Sequence, residues 1–265
     1  MSQLLTLSNH RSIIVVDPVD GGRIISIIID GFEILRDEKF NTDNSIFGYG
    51  SFPMAPYAGR IKNGKFEFNG EQHQLELADP PHAIHGTAIY QSWEVLNHSS
   101  NKIDLQTTIS AGWPFRGELR QEFLLLENEI SMQMKLTAID AMPAWIGFHP
   151  WFRKHINNQE IQLTASFDQM YVRDEEKVTT KTISTPKPPP WDDCFIGENP
   201  GIELSWGELV KLKLESNSPY WVIYSAPADS LCVEPQSAPP NAIELERNQV
   251  LARGECVELE FKIKF

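Results

Sequence analysis

The chain has 265 residues, 41% of them hydrophobic, and a formal net charge of −13. That length supports a single domain spanning 1–265 with a sizeable core, as large all-β folds often show, and the charge argues against nucleic acid or anionic membrane surfaces as partners. Cys194, Cys232 and Cys256 contain no C-x-x-C pair, which argues against a disulfide framework or a structural zinc site. The stretch Met1–His10 lacks the basic lead and apolar run of a signal peptide, and no window approaches the roughly 18 apolar residues of a membrane span. A soluble, cytoplasmic protein with reduced thiols is expected.

In chain order the dominant texture is short β segments. Residues 12–16 and 23–29 are rich in isoleucine and valine and are separated by Asp17-Pro18-Val19-Asp20-Gly21-Gly22, a turn cluster. Residues 65–68 and 71–77 flank Asn69-Gly70, a pair that supplies the positive φ values of a two-residue hairpin turn. Segments 103–109, 119–126 and 129–139 read as successive strands, with Ile130, Met132, Met134 and Leu136 alternating against polar residues. Val257, Leu259, Phe261 and Ile263 repeat that pattern at the C-terminus. No amphipathic helix exceeds about two turns and there is no internal repeat. Two long loops are predicted, 43–62 and 184–201, both rich in glycine and proline. Loops of that length in a compact β domain usually carry function or are disordered. The whole reads as one antiparallel β-sandwich.

The stretch Ala144-Trp145-Ile146-Gly147-Phe148-His149-Pro150-Trp151-Phe152 places one imidazole among large aromatic rings. The proline pushes His149 toward extended backbone and predicts it at a strand end. Histidine there can give or take a proton near neutrality, and the rings can pack on one apolar face of an amphipathic ligand. His10, His73, His98 and His155 sit in polar surroundings and are expected at the surface, whereas His82 and His85 share one loop. Their H-x-x-H spacing lacks further ligands, so no metal is expected. The acidic candidates are Asp192, Asp193 and Glu234. Glu234 follows the apolar segment 230–233 and precedes Pro235, so partial desolvation at a strand end would raise its pKa and suit a general base. Arg60 is a donor that can fork onto sugar hydroxyls or an oxyanion, or brace a loop carboxylate.

Pro56-Tyr57-Ala58-Gly59-Arg60-Ile61 with Gly64 and Phe66, then Ile84-His85-Gly86, Gly147-Phe148-His149-Pro150-Trp151-Phe152, Asp192-x-x-Phe195 and Glu234-Pro235-Gln236, follow one another in the order seen in the aldose 1-epimerase family. The match resembles the galactose mutarotase group over roughly residues 15–262. The resemblance implies an all-β fold, a large antiparallel β-supersandwich whose open face binds a pyranose. It implies His149 as general acid, Glu234 as general base, His85 as a sugar-binding and polarising group, and Arg60 and Asp192 as sugar ligands. Trp145, Trp151 and Trp191 are the candidate aromatic surfaces for stacking on a sugar, two of which could instead belong to the core, and Trp151 is the one assigned to the substrate. Three departures bear on the substrate: Gly59 stands where the family commonly has asparagine, Asp192-Asp193-Cys194-Phe195 replaces D-H-x-F, and His85-Gly86-Thr87 replaces H-G-G.

The implied reaction interconverts the α and β anomers of a free aldohexose. It needs no cofactor and no metal, and the expected partner is a small-molecule sugar, with the protein a monomer or homodimer. A mutarotase for hexose 6-phosphates would need a cationic cluster, for which Arg60 and Lys62 offer little. A glycoside hydrolase using Asp192 and Glu234 would leave His149 without a role, and a non-catalytic sugar-binding protein would not need both an acid and a base.

Overall fold

A computed structural model describes residues 4–40 and 45–265. Positions 43–44 of the predicted first loop, and the first three residues of the N-terminal stretch, lie outside the described residues.

Two antiparallel sheets dominate. The first runs, in spatial order, Leu5–Ser8, Ser12–Asp17, Arg23–Ile29, Ser51–Met54, Gly147–Arg153, Ser230–Gln236, Tyr220–Tyr224, Asp192–Ile196, Gln169–Arg173 and Thr179–Ser184, with Phe32–Glu33 paired to the side. The second runs Glu94–His98, Lys102–Ile109, Gly117–Leu125, Glu129–Ala138, Cys256–Lys264, Val210–Ser216, Ile202–Trp206 and Gln162–Thr164. The alternating pattern becomes one buried face here: Ile130, Met132, Met134 and Leu136 point inward, as do Val257, Leu259, Phe261 and Ile263. The hairpin turn forms at Asn69 and Gly70, both at positive φ, although its second strand ends at Gln74. Among the described residues the one α-helix is the short Ala242–Leu245.

The sheets pack face to face through the core. Phe261 of the second sheet meets Phe148 at 6.0 Å and Trp221 at 6.1 Å, both from the first. Truncating such a side chain to alanine typically costs about 3–5 kcal/mol. Because side chains alternate along a strand, burying Phe148 in this core turns His149 to the opposite, outer face. That face is the floor of the site.

Both predicted loops contain a strand of the first sheet. Ser51–Met54 pairs with the His149 strand, and Asp192–Ile196 pairs with Tyr220–Tyr224. His73 is also not simply a surface residue, since its ring is half-buried between Phe66 and Phe115 at 4.9 and 5.2 Å.

Candidate active site

Neither His149 nor Glu234 sits at a strand end. His149 is the third residue of Gly147–Arg153, and the Glu234 strand runs on to Gln236. The two strands are antiparallel neighbours, with Gly147 opposite Gln236 and Trp151 opposite Cys232. Continuing that register across Pro150 and Pro235, which have no N–H to give the ladder, sets His149 directly opposite Glu234. On its other side His149 faces Phe52, and Glu234 faces Val222. Two residues further along, the same face carries Trp151, Cys232, Tyr224 and Asp192 as successive cross-strand partners.

These rows form the wall and floor of a cavity of about 270 Å³. His149, Glu234, Trp151, Asp192, Arg60 and His85 all line it. Trp145 and Trp191 do not. Trp145 is fully buried in the core, donating its indole N–H to the Ala58 carbonyl at 2.7 Å, and Trp191 donates to the Lys187 carbonyl outside the cavity. Trp151 is the tryptophan at the site, stacked on His149 at 5.2 Å and held by an indole N–H bond to the Phe47 carbonyl.

The His149 Nε2 and Glu234 Oε1 atoms are 3.2 Å apart, and the residues are only 4% and 2% exposed. Burial penalises both charged forms. It lowers the His149 pKa to about 3, with the Arg23 charge adding to the effect, and raises Glu234 well above the ordinary carboxylate range, helped by the charge on Asp192. Arg23 lies behind the site, fully buried, ion-paired with Asp20 at 2.8 Å and set against the Phe52 ring at 5.8 Å. Phe52 in turn stacks on His149 at 4.5 Å. Gln236 donates its amide to the Glu234 carboxylate at 3.2 Å and so fixes its orientation.

The rim comes from loops. Arg60 donates to Asp79 at 2.8 Å, and its short strand pairs with Ala83–Ile84. This brings the His85 N–H to the Gly59 carbonyl at 3.1 Å. His85 adopts φ +60°, its ring stands edge-on to His149 at 4.9 Å, and burial first, then the neighbouring His149, pushes its pKa well below 6.5. His82 turns elsewhere, accepting the Asn63 N–H and facing the Glu176 carbonyl. Across the cavity Arg173 donates to Asp192 at 2.5 Å and approaches Asp193 at 3.4 Å. Asp193, almost fully buried, also meets Lys187.

Residues 3–264 match the sequence profile of the aldose 1-epimerase family. The chain belongs to the aldose 1-epimerase family. It is 25% identical to the Escherichia coli (strain K12) protein YphB over an alignment of 291 positions, which covers 98% of each chain. Its fold is similar to that of a GalM/aldose epimerase homologue from C. elegans, with a TM-score of 0.85 at 16% identity over 100% of this chain and 98% of that one. The galactose 1-epimerase of Lactobacillus acidophilus NCFM gives 0.80 at 19% identity, over 98% and 92% of the two chains. The fold is the β-supersandwich of the galactose mutarotase type, and the family acts on sugars.

Set in this family, the Gly59 departure has a local cause. Gly59 is at φ +69°, and a Cβ there would sit 2.5 Å from the Pro240 ring, so an asparagine would not fit without displacing Pro240. Arg173 and Tyr224 were not evident in the sequence, because only sheet pairing brings their strands beside that of Asp192, and Tyr224 meets Trp151 only through a ring contact at 5.9 Å. Gln236 did carry a signal: it lies two residues beyond Glu234 and therefore on the same face.

Proposed function

We propose that the protein is an aldose 1-epimerase that interconverts the α and β anomers of a free aldohexose, with His149 as acid and Glu234 as base. The observation that carries this reading is the pair of buried side chains 3.2 Å apart on the floor of a sugar-sized cavity. The chemistry requires one proton held jointly by two groups. Glu234 as carboxylate removes the O1 hydroxyl proton while His149 as imidazolium protonates the ring oxygen. The C1–O5 bond breaks, the open-chain aldehyde rotates about C1–C2, and closure returns both protons. Each turnover leaves the pair with the one proton it began with. In the sugar-free pocket burial favours the neutral arrangement, with that proton on Glu234. Sugar hydroxyls bonding to the carboxylate offset its desolvation and let the proton pass to His149. An acid and a base so placed typically contribute about 10²–10⁴-fold each.

Trp151 offers an apolar face to the ring, while Arg60, His85 and Asp192 are placed to bind hydroxyls. Of the three Arg and Lys side chains lining the cavity, Arg60 is held by Asp79 and Arg173 by Asp192, which leaves the exposed Lys177 alone to meet a phosphate, and this favours an uncharged sugar over a phosphorylated one.

Polarimetry on freshly dissolved α-D-galactose and α-D-glucose tests the proposal. Faster relaxation that is lost in His149→Ala supports both the reaction and the acid. An unaccelerated trace on both sugars would sink it.

A further inference from the structure

Cys232 has no role in the sugar chemistry, yet it stands beside the groups that do. It is fully buried and lies two residues before Glu234 on one strand, so both side chains share a face. His149 is opposite Glu234 on the next strand. As a result a ring nitrogen of His149, the Cys232 sulfur and a carboxylate oxygen of Glu234 lie within 4.8 Å of one another, all three buried. Ligand atoms around a tetrahedral zinc, with bonds of about 2.0–2.3 Å, are about 3.5 Å apart. The His149–Glu234 edge already measures 3.2 Å, so closing the triangle asks only for a modest approach of the sulfur.

Three further observations bear on what such a cluster holds. The set of one imidazole, one thiol and one carboxylate is soft enough to favour Zn²⁺ or Cd²⁺ over Mg²⁺ and Ca²⁺. His149 and Glu234 line the cavity, which gives an entry path and leaves a fourth position for water. The His149 Nδ1 atom is buried without a hydrogen-bond partner, so the ring lacks the outer acceptor that usually strengthens a metal-ligating histidine by 10–100-fold in affinity. Binding would therefore be reversible rather than permanent.

We propose that His149, Cys232 and Glu234 form a site for a thiophilic divalent cation, and that the bound ion shuts off the sugar chemistry. The ion takes the lone pairs that the proton transfers use, and two protons leave to solvent as it binds: the Cys232 thiol proton and the one proton that the His149–Glu234 pair holds. The inhibitory half rests on the acid and base roles proposed above; the site itself does not.

The test uses Cd²⁺ and Zn²⁺ on the full chain after chelator treatment. Cd²⁺ is expected to bind once per chain by equilibrium dialysis, with a near-ultraviolet thiolate-to-cadmium band that Cys232→Ala loses and Cys256→Ala keeps. Should Cys232→Ala fail to fold, Glu234→Gln must weaken Cd²⁺ binding by roughly tenfold or more. Zn²⁺ is expected to slow polarimetric relaxation in the wild type, reversibly on chelation, and to need roughly tenfold more to halve the Cys232→Ala variant's own rate. Absence of the band, or a band and inhibition unaltered in Cys232→Ala, overturns the site. A band in a protein that accelerates no sugar sustains the site and removes the acid/base reading, so the two failures are distinct.

Discussion

The Nε2 atom of His149 lies 3.2 Å from Oε1 of Glu234 because two antiparallel strands meet in a register that sets the residues directly opposite. At that separation the pair titrates as a unit rather than as two independent groups. Burial drives His149 down to about 3 and Glu234 well up from its ordinary value, so between those limits the pair holds one proton. The sign of the pH profile follows. Below about 3 a second proton is taken up and the proposed base is lost; above the raised Glu234 pKa the last proton leaves and the proposed acid is lost. The expected kcat/KM profile is therefore flat through the mildly acidic range. An acid limb near the ordinary histidine value of about 6.5 would contradict it. Rates from polarimetry in a series of buffers read this directly.

Asp192 offers a second handle on the same profile. After burial, its charge is the next cause of the raised Glu234 pKa. In Asp192→Asn the alkaline limb is expected to move to lower pH, because one source of repulsion for the Glu234 carboxylate is gone. KM is expected to rise as well if Asp192 meets a sugar hydroxyl. An alkaline limb that stays in place would show that burial alone sets the Glu234 value.

What the sequence shows and hides has a physical pattern. The second sheet was legible because one side of it faces the core and the other faces water, so Ile130 to Leu136 and Val257 to Ile263 alternate cleanly. The central strands of the first sheet do not alternate. Gly147–Phe152 and all of Ser230–Gln236 are buried, since one face packs on the core and the other lies under the cavity rim. Short segments such as Ser51–Met54, which contains Pro53, and Asp192–Ile196, which closely follows Pro188-Pro189-Pro190, accordingly read as parts of loops. Six residues singled out from the sequence nonetheless line one cavity. Arg173 escaped because its partner Asp192 is reached only by sheet pairing.

That pairing makes Arg173 a stability residue as well. Asp193 is almost fully buried and its carboxylate is met by Arg173 at 3.4 Å and by Lys187 at 3.2 Å. Arg173→Met leaves the Asp192 carboxylate without its ion pair and Asp193 with the Asp192 N–H and one cation, Lys187, whose side chain is more than half exposed. Removing one partner from a buried charge commonly costs about 3–5 kcal/mol; with Lys187 remaining and Arg173 itself partly exposed, about 1–3 kcal/mol is expected. Lys187→Met should cost less, because its exposed ammonium is better screened. Denaturant unfolding of both variants checks the order, and equal losses would refute it.

Gly86 controls the position of His85. It follows His85 directly, both residues have positive φ, and a Cβ on Gly86 would fall on the Ala55 carbonyl. That carbonyl accepts the N–H groups of Thr87 at 2.8 Å and Ala88 at 3.0 Å, so it cannot move away without breaking the turn. Gly86→Ala therefore combines left-handed strain of about 1–2 kcal/mol with a backbone clash. A loss of about 2 kcal/mol or more is expected in denaturant unfolding. A fall in mutarotation should accompany it, since the His85 ring stands 4.9 Å from His149. Gly254→Ala is the matched control: Gly254 has φ +84° but open space around it, so it carries the strain without the clash. If Gly86→Ala proved as mild as Gly254→Ala, and left activity intact, the close approach to Ala55 would not be what holds His85 beside His149.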